Sequence, residues 1–99
     1  MAQRSNFMDE FGKHDPEFFK LVSAIMAKAN EKGALDPKTK TLITLALDAA
    51  GGHPEGVRAL AARARALGAT KAEIVETVRL AFVVAGIPGL IAGLAAFQE

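Results

Sequence analysis

An all-α fold is what this 99-residue chain predicts, and three observations carry that reading. Proline recurs close behind polar residues at the head of apolar stretches and glycine just past their ends, which is the asymmetry of helix punctuation. Apolar residues recur at three- and four-residue spacing, while no strand-like alternation of four or more residues stands out. Hydrophobic residues make up 51% of the chain and mean hydropathy is +0.21. That is more apolar side chain than a globule of this size hides by itself, so self-association is expected.

Taken in order, residues 5–11 predict a short helical arm carrying Phe7, Met8 and Phe11, within an N-terminal segment 1–14. Asp15-Pro16-Glu17 caps a helix running to about residue 32, with Phe18, Val22, Ile25, Met26 and Ala29 on one face, Lys20, Lys28 and Glu31 on the other, and Gly33 as its stop. Asp36-Pro37 repeats that start for a helix through Leu42, Ile43, Leu45, Ala46 and Ala49, which Gly51-Gly52 ends. Pro54 falls in the first turn of the next helix, 54–67, whose Val57, Leu60, Ala61, Ala64 and Leu67 make an apolar stripe closed by Gly68. Thr70-Lys71-Ala72-Glu73 has capping-box spacing and begins a helix to about residue 85. Gly86-Ile87-Pro88 breaks that helix, and a last one extends from Pro88 to about residue 97. The expected architecture is one compact antiparallel domain of five to six helices over 1–99, with short connections. Phe7, Phe11, Phe18, Phe19, Phe82 and Phe97 are expected in core and subunit contacts.

Charge and composition narrow the function. The 12 basic and 11 acidic residues are interspersed and give a net charge of +1, which argues against a nucleic-acid partner. Arg58, Arg63 and Arg65 lie on one helix without interleaved aromatics and read as solvent-face or subunit-contact residues. Without cysteine there is no thiolate nucleophile, no CxxC redox pair and no disulfide. Two separated histidines, His14 and His53, make a poor metal-ligand set, so neither metal nor cofactor is expected. His14 beside Asp15 reads as part of a surface turn. The stretch 80–97 is uncharged and carries Ala85, Gly89 and Gly93 at four-residue spacing, the pattern of a membrane span. Gly86 and Pro88 interrupt it, and no aromatic belt or cationic anchor follows, so two buried helices and no membrane partner are expected. The polar start Met-Ala-Gln-Arg-Ser-Asn has no apolar signal core behind it, and the cytoplasm is the expected compartment.

If the chain performs chemistry, the place for it is the hexapeptide Gly51-Gly52-His53-Pro54-Glu55-Gly56 between two alanine-rich helices. His53 stands at a helix N-terminus, where the macrodipole favours the neutral ring that acts as a base. Asp48 near the end of the preceding helix and Glu55 in the first turn of the next complete a candidate acid/base cluster. Arg58 is a candidate for attracting an anionic substrate. The same residues also have a structural reading: Glu55 suits the helix dipole, Asp48 is solvated, and His53 is a loop or capping residue.

Three segments in fixed order resemble the carboxymuconolactone decarboxylase family, which includes the alkylhydroperoxidase D-like proteins. They are Leu35-Asp36-Pro37-Lys38-Thr39, Ala66-Leu67-Gly68-Ala69-Thr70-Lys71-Ala72-Glu73-Ile74 and Val84-Ala85-Gly86-Ile87-Pro88, and the similarity covers about residues 16–97. The resemblance implies an alkylhydroperoxidase D-like helical subunit that assembles into homo-trimers or homo-hexamers. It also implies, in the redox branch, a CxxC pair at the positions of His53 and Gly56, a histidine at Leu60 and a supporting glutamate at Thr41. The decarboxylase branch is expected to use a histidine at Leu60 as well. None of these groups is present, and leucine neither gives nor takes a proton. In the fold so implied, Asp48, seven residues after Thr41, looks toward the junction.

Two functions follow as expectations. One is a non-redox small-molecule enzyme with a pocket between the helices at 37–50 and 54–67, His53 as base and a small anionic organic ligand. The other is a non-catalytic oligomeric scaffold or ligand-binding member. Alkylhydroperoxidase or peroxiredoxin-type antioxidant activity ranks third, because its thiols are missing.

Overall fold

The structure, a computed structural model, describes residues 2–98, with side-chain surroundings from Met8 onward; the Phe7 side chain lies outside the described residues. Six α-helices and one 3-10 turn make up the described chain, and no strand occurs among these residues. The chain divides into two compact units, one up to Gly33 and one from Ala34.

The first unit is a pair of helices, α1 (Ala2–His14) and α2 (Pro16–Ala29). The N-terminal helix is longer than the arm expected at 5–11. Asp15 makes the corner: its carboxylate accepts the Phe18 amide at 3.1 Å, and its own amide donates to the Phe11 carbonyl at 3.0 Å. The Phe11 and Phe18 rings meet edge to face at 5.8 Å, and His14 pairs with Glu10 at 3.3 Å. α2 stops before residue 32, because Asn30 turns its side-chain amide back onto the Met26 carbonyl at 2.9 Å. That local bond competes with helix continuation. No residue of α2 is buried, and Phe18, Leu21, Ile25 and Met26 stay exposed.

The second unit holds α3 (Pro37–Ala50), α4 (Pro54–Ala66), α5 (Lys71–Ala85), α6 (Ile87–Gly93) and the 3-10 turn Leu94–Phe97. α3 packs on α4, α5 and α6, and α4 packs on the 3-10 turn. Leu45 and Ala49 of α3, Val57 and Ala61 of α4, Ile74, Val78 and Ala81 of α5, and Ala95 and Ala96 form the core. Among the described residues, Leu45, Ile74 and Val57 are the largest fully buried side chains. Each contributes about 1.5–3 kcal/mol, and apart from Val78 the remainder is alanine that lets helices approach closely. Arg65 of α4 reaches across and donates to the Ala96 carbonyl, fastening the last turn.

α6 folds back on α5 at short range. A methyl group on Gly89 would lie 2.9 Å from the Ala85 Cβ and 3.1 Å from the Ala81 carbonyl oxygen, and one on Gly93 would lie 2.6 Å from Val78 Cγ1. The small-residue spacing is thus used within the chain. Gly86, at φ +74° and ψ −156°, makes the reversal, a conformation open to glycine alone. The last helix begins one residue before Pro88 and tightens to 3-10 geometry from Leu94. No helix of the described residues is long and apolar enough to cross a membrane.

In the second unit two carboxylates anchor helix starts. Asp36 accepts the Thr39 amide at 2.7 Å. Glu73 and Thr70 form a complete capping box, and Lys38 reaches Glu73 at 3.0 Å, tying α3 to α5. Asp36 is held below its ordinary 3.8 chiefly by the Thr39 amide, and Glu73 below its ordinary 4.5 chiefly by the Thr70 amide and then by Lys38. Because both are depressed in the folded chain, their stabilisation is present above those ordinary values and is lost as pH falls through the lower folded ones. The urea midpoint of the wild type is therefore expected to decline below about pH 4.5, and that of Glu73→Gln less steeply. Identical acid slopes for the two proteins would refute the linkage at Glu73.

Candidate functional site

The junction between α3 and α4 is built by backbone bonds. α3 ends as the Gly51 amide donates to the Leu47 carbonyl at 2.9 Å, and the His53 amide then donates to the Asp48 carbonyl at 2.9 Å. Gly52, at φ +77°, makes the turn. His53 occupies the N-cap position of α4 and makes no side-chain cap hydrogen bond. Its imidazole folds over Gly51, where an added Cβ would lie 2.9 Å from Cδ2 and 3.0 Å from Nε2. Glycine at 51 is therefore what gives the ring its place.

The candidate residues of the junction have different surroundings. His53 and Glu55 are exposed, and Asp48 is half-buried. The side chain of Glu55 turns along α4 to Arg58, at 3.5 Å. Arg58 in turn donates to the Gln98 Oε1 at 2.9 Å, so this guanidinium links α4 to the residue after the 3-10 turn. Arg58 and Arg65 are exposed, as expected of solvent-face residues, and each also makes a hydrogen bond within the chain. Gln98 was not singled out from the sequence, and a partner 40 residues distant leaves no spacing signal.

The four positions at which the family resemblance implies reactive groups are His53 and three sites of a different character. Thr41 is buried at 5% exposure, and its hydroxyl donates to the Pro37 carbonyl of its own helix at 2.8 Å. Gly56 is buried. Leu60 packs against the hydrophobic core. Two of these positions therefore carry no group that can transfer a proton, and at Thr41 the hydroxyl proton is already donated within the helix.

Two open surface concavities lie elsewhere. One runs along α5 and is lined by Lys71, Ala72, Val75, Glu76 and Arg79; the other is on α2, lined by Pro16, Glu17, Phe19, Lys20 and Ser23. Among the described residues no group of three or more His, Cys, Asp or Glu side chains could hold a metal ion.

Comparison with known proteins places this geometry in a lineage. Residues 16–99 match the carboxymuconolactone decarboxylase family. A crystal structure of a carboxymuconolactone decarboxylase family protein from Legionella pneumophila superposes with a TM-score of 0.86 at 31% identity, over 98% of this chain and 87% of that one. An uncharacterized protein of Methanocaldococcus jannaschii is 29% identical over 87 residues, which is 88% of this chain and 81% of the relative.

Proposed function

The chain belongs to the carboxymuconolactone decarboxylase family, and we propose that within it this protein is a self-associating helical scaffold or ligand-binding member, without the family's thiol- or histidine-based turnover. One observation carries the reading: Leu60, at the position where the resemblance implies a histidine in both branches, is part of the wall of the hydrophobic core. A leucine there stabilises the interior and leaves no proton carrier to act on a substrate. Assembly as a homo-trimer or homo-hexamer is supported by the number of large apolar side chains that a single copy leaves exposed. Purified protein is expected to turn over neither a hydroperoxide supplied with a dithiol nor a muconolactone-type acid. The combined variant Asp48→Ala, His53→Ala, Glu55→Ala is expected to keep the wild-type oligomeric mass in light scattering. Turnover by the wild type that His53→Ala abolishes would overturn the proposal.

The second reading, a non-redox enzyme with a small-molecule pocket between α3 and α4, is favoured by the exposed His53 ring at a helix N-terminus with no capping bond. It requires that small anionic lactones or acids raise the melting temperature of wild type and not of His53→Ala. Equal shifts in the two proteins would leave the scaffold reading standing.

A further inference from the structure

The chain ends on a different support from the one that carries it there. α6 lies on α5, where a methyl group on Gly93 would stand 2.6 Å from Val78 Cγ1. From Leu94 the backbone changes to 3-10 geometry, and this last turn packs on α4. Two arginines on one face of α4 hold it. Arg65 donates to the Ala96 carbonyl, and Arg58, about two helical turns earlier, donates to the Gln98 Oε1 at 2.9 Å. The segment so held brings mainly small side chains to the interior: Ala95 and Ala96 are buried, Phe97 is half-buried and Leu94 is exposed. The large buried side chains Leu45, Val57 and Ile74 belong to α3, α4 and α5. Lifting the last turn therefore returns little apolar area to water and leaves those three helices on one another, whereas separating any of them exposes a large side chain. The hydrogen bonds of a 3-10 turn are also of poorer geometry than those of an α-helix.

We propose that residues 94–98 form a latch, a turn that pivots at Gly93-Leu94 and opens without unfolding the rest of the second unit, with Arg65 as its main catch and Arg58 as the second. Gly93, seated against Val78, keeps α6 in place when the latch lifts. Opening bares part of the buried face of α4, which is made by Gly56, Val57, Ala61 and Ala64, and so creates an apolar groove beside Leu60. Both catches join a charged donor on an exposed arginine to a neutral oxygen, so removing one loosens the closed state without leaving a charge buried. Arg58 is the weaker catch, because its guanidinium is shared with Glu55 at 3.5 Å.

Because the chain has no cysteine, a single engineered thiol reports opening at its own position. Ala95→Cys on the latch and Ala49→Cys on α3 are labelled with a thiol-reactive dye under native conditions. Ala95→Cys is expected to react at least about tenfold faster than Ala49→Cys and with a weaker urea dependence, since a local opening exposes less surface than unfolding. Adding Arg65→Ala is expected to speed Ala95→Cys by about tenfold more, and Arg58→Ala by less, each beyond any change at Ala49→Cys. Should a cysteine variant fail to fold, amide hydrogen exchange in the cysteine-free chain decides: Arg65→Ala must speed the amides of residues 95–97 more than those of Leu45 and Ile74. Equal labelling rates and equal urea slopes at positions 95 and 49 would show that the last turn opens only with the whole unit, which overturns the latch. A turn that opens locally but ignores both arginine substitutions would overturn the assignment of the catches.

Discussion

Thr41→Glu is expected to destabilise the folded chain by about 3 to 5 kcal/mol at neutral pH, the cost of an uncompensated buried charge. The resemblance implies a glutamate at this position, so the substitution asks whether the site can still hold one. Thr41 is 5% exposed and lies on the same stripe of α3 as Leu45 and Ala49, which are fully buried. Its hydroxyl is satisfied by the Pro37 carbonyl, a bond that a carboxylate cannot make because it has no proton to give. A glutamate in that place would have its pKa raised by loss of water. The penalty is then largest above the raised folded value and shrinks as pH falls and the side chain takes up a proton, opposite in sign to the behaviour of Glu73. Thr41→Gln, of equal size and uncharged, separates crowding from charge and is expected to cost less at neutral pH. Urea unfolding of the three proteins at neutral and mildly acidic pH measures both effects. If Thr41→Glu were as stable as wild type at neutral pH, the space beside α3 would have to be polar and hydrated, and the small-molecule enzyme reading would gain accordingly.

Gly89→Val is expected to lower stability by about 3 kcal/mol and the melting temperature by roughly 10 to 20 °C. Two terms oppose each other here. Replacing a helical glycine removes backbone freedom from the unfolded chain and favours folding by about 1 kcal/mol or less. Against that, the new Cβ alone would come within 2.9 Å of Ala85 Cβ and 3.1 Å of the Ala81 carbonyl oxygen, before valine's two methyls are counted. Neither neighbour is the free end of a flexible side chain, so relief requires α6 to lift from α5. The clash therefore outweighs the entropy. Gly33→Ala, where an added Cβ would meet the Glu31 carbonyl oxygen at 3.9 Å, is the control and should fall within about 1 kcal/mol of wild type. Differential scanning calorimetry on both variants checks the contrast; a Gly89→Val protein that melts with wild type would mean that α6 does not hold this close approach.

Much of the helical layout was legible because it is written in local chemistry. Asp15-Pro16, Asp36-Pro37 and Thr70 with Glu73 all cap helices through the bonds that their residue types suggest. Gly86 stands at the one reversal with its distinctive φ and ψ. What escaped was chemistry that periodicity does not register. Asn30 ends α2 early through a side-chain bond to Met26, although apolar and charged residues continue in helical register behind it. The stripe on α3 was legible through Leu45 and Ala49, but Ile43 at 45% exposure was counted with it and faces outward. At the junction, the His53 amide bonds the Asp48 carbonyl in a tight turn of the kind that Gly51-Gly52 suggests. The commitment of Arg58 to Glu55 and Gln98 was not expected, because it depends on how the end of the chain returns to α4. That the family's reactive positions are replaced was plain from the residue types. Only burial reveals that Thr41 and Gly56 are interior positions with no aqueous face.

The return of the last turn to α4 also bears on how the polypeptide acquires its shape as it leaves the ribosome. Arg65 meets Ala96 across 31 residues, and Ala95 and Ala96 complete a core whose other members are all made earlier. Until those two alanines emerge, the inner faces of Val57, Ala61, Ile74 and Val78 have been synthesised without their lid. A chain ending before residue 95 is thus expected to expose those inner faces, and its resistance to proteolysis should rise only once residues 95 and 96 are present and have left the ribosome.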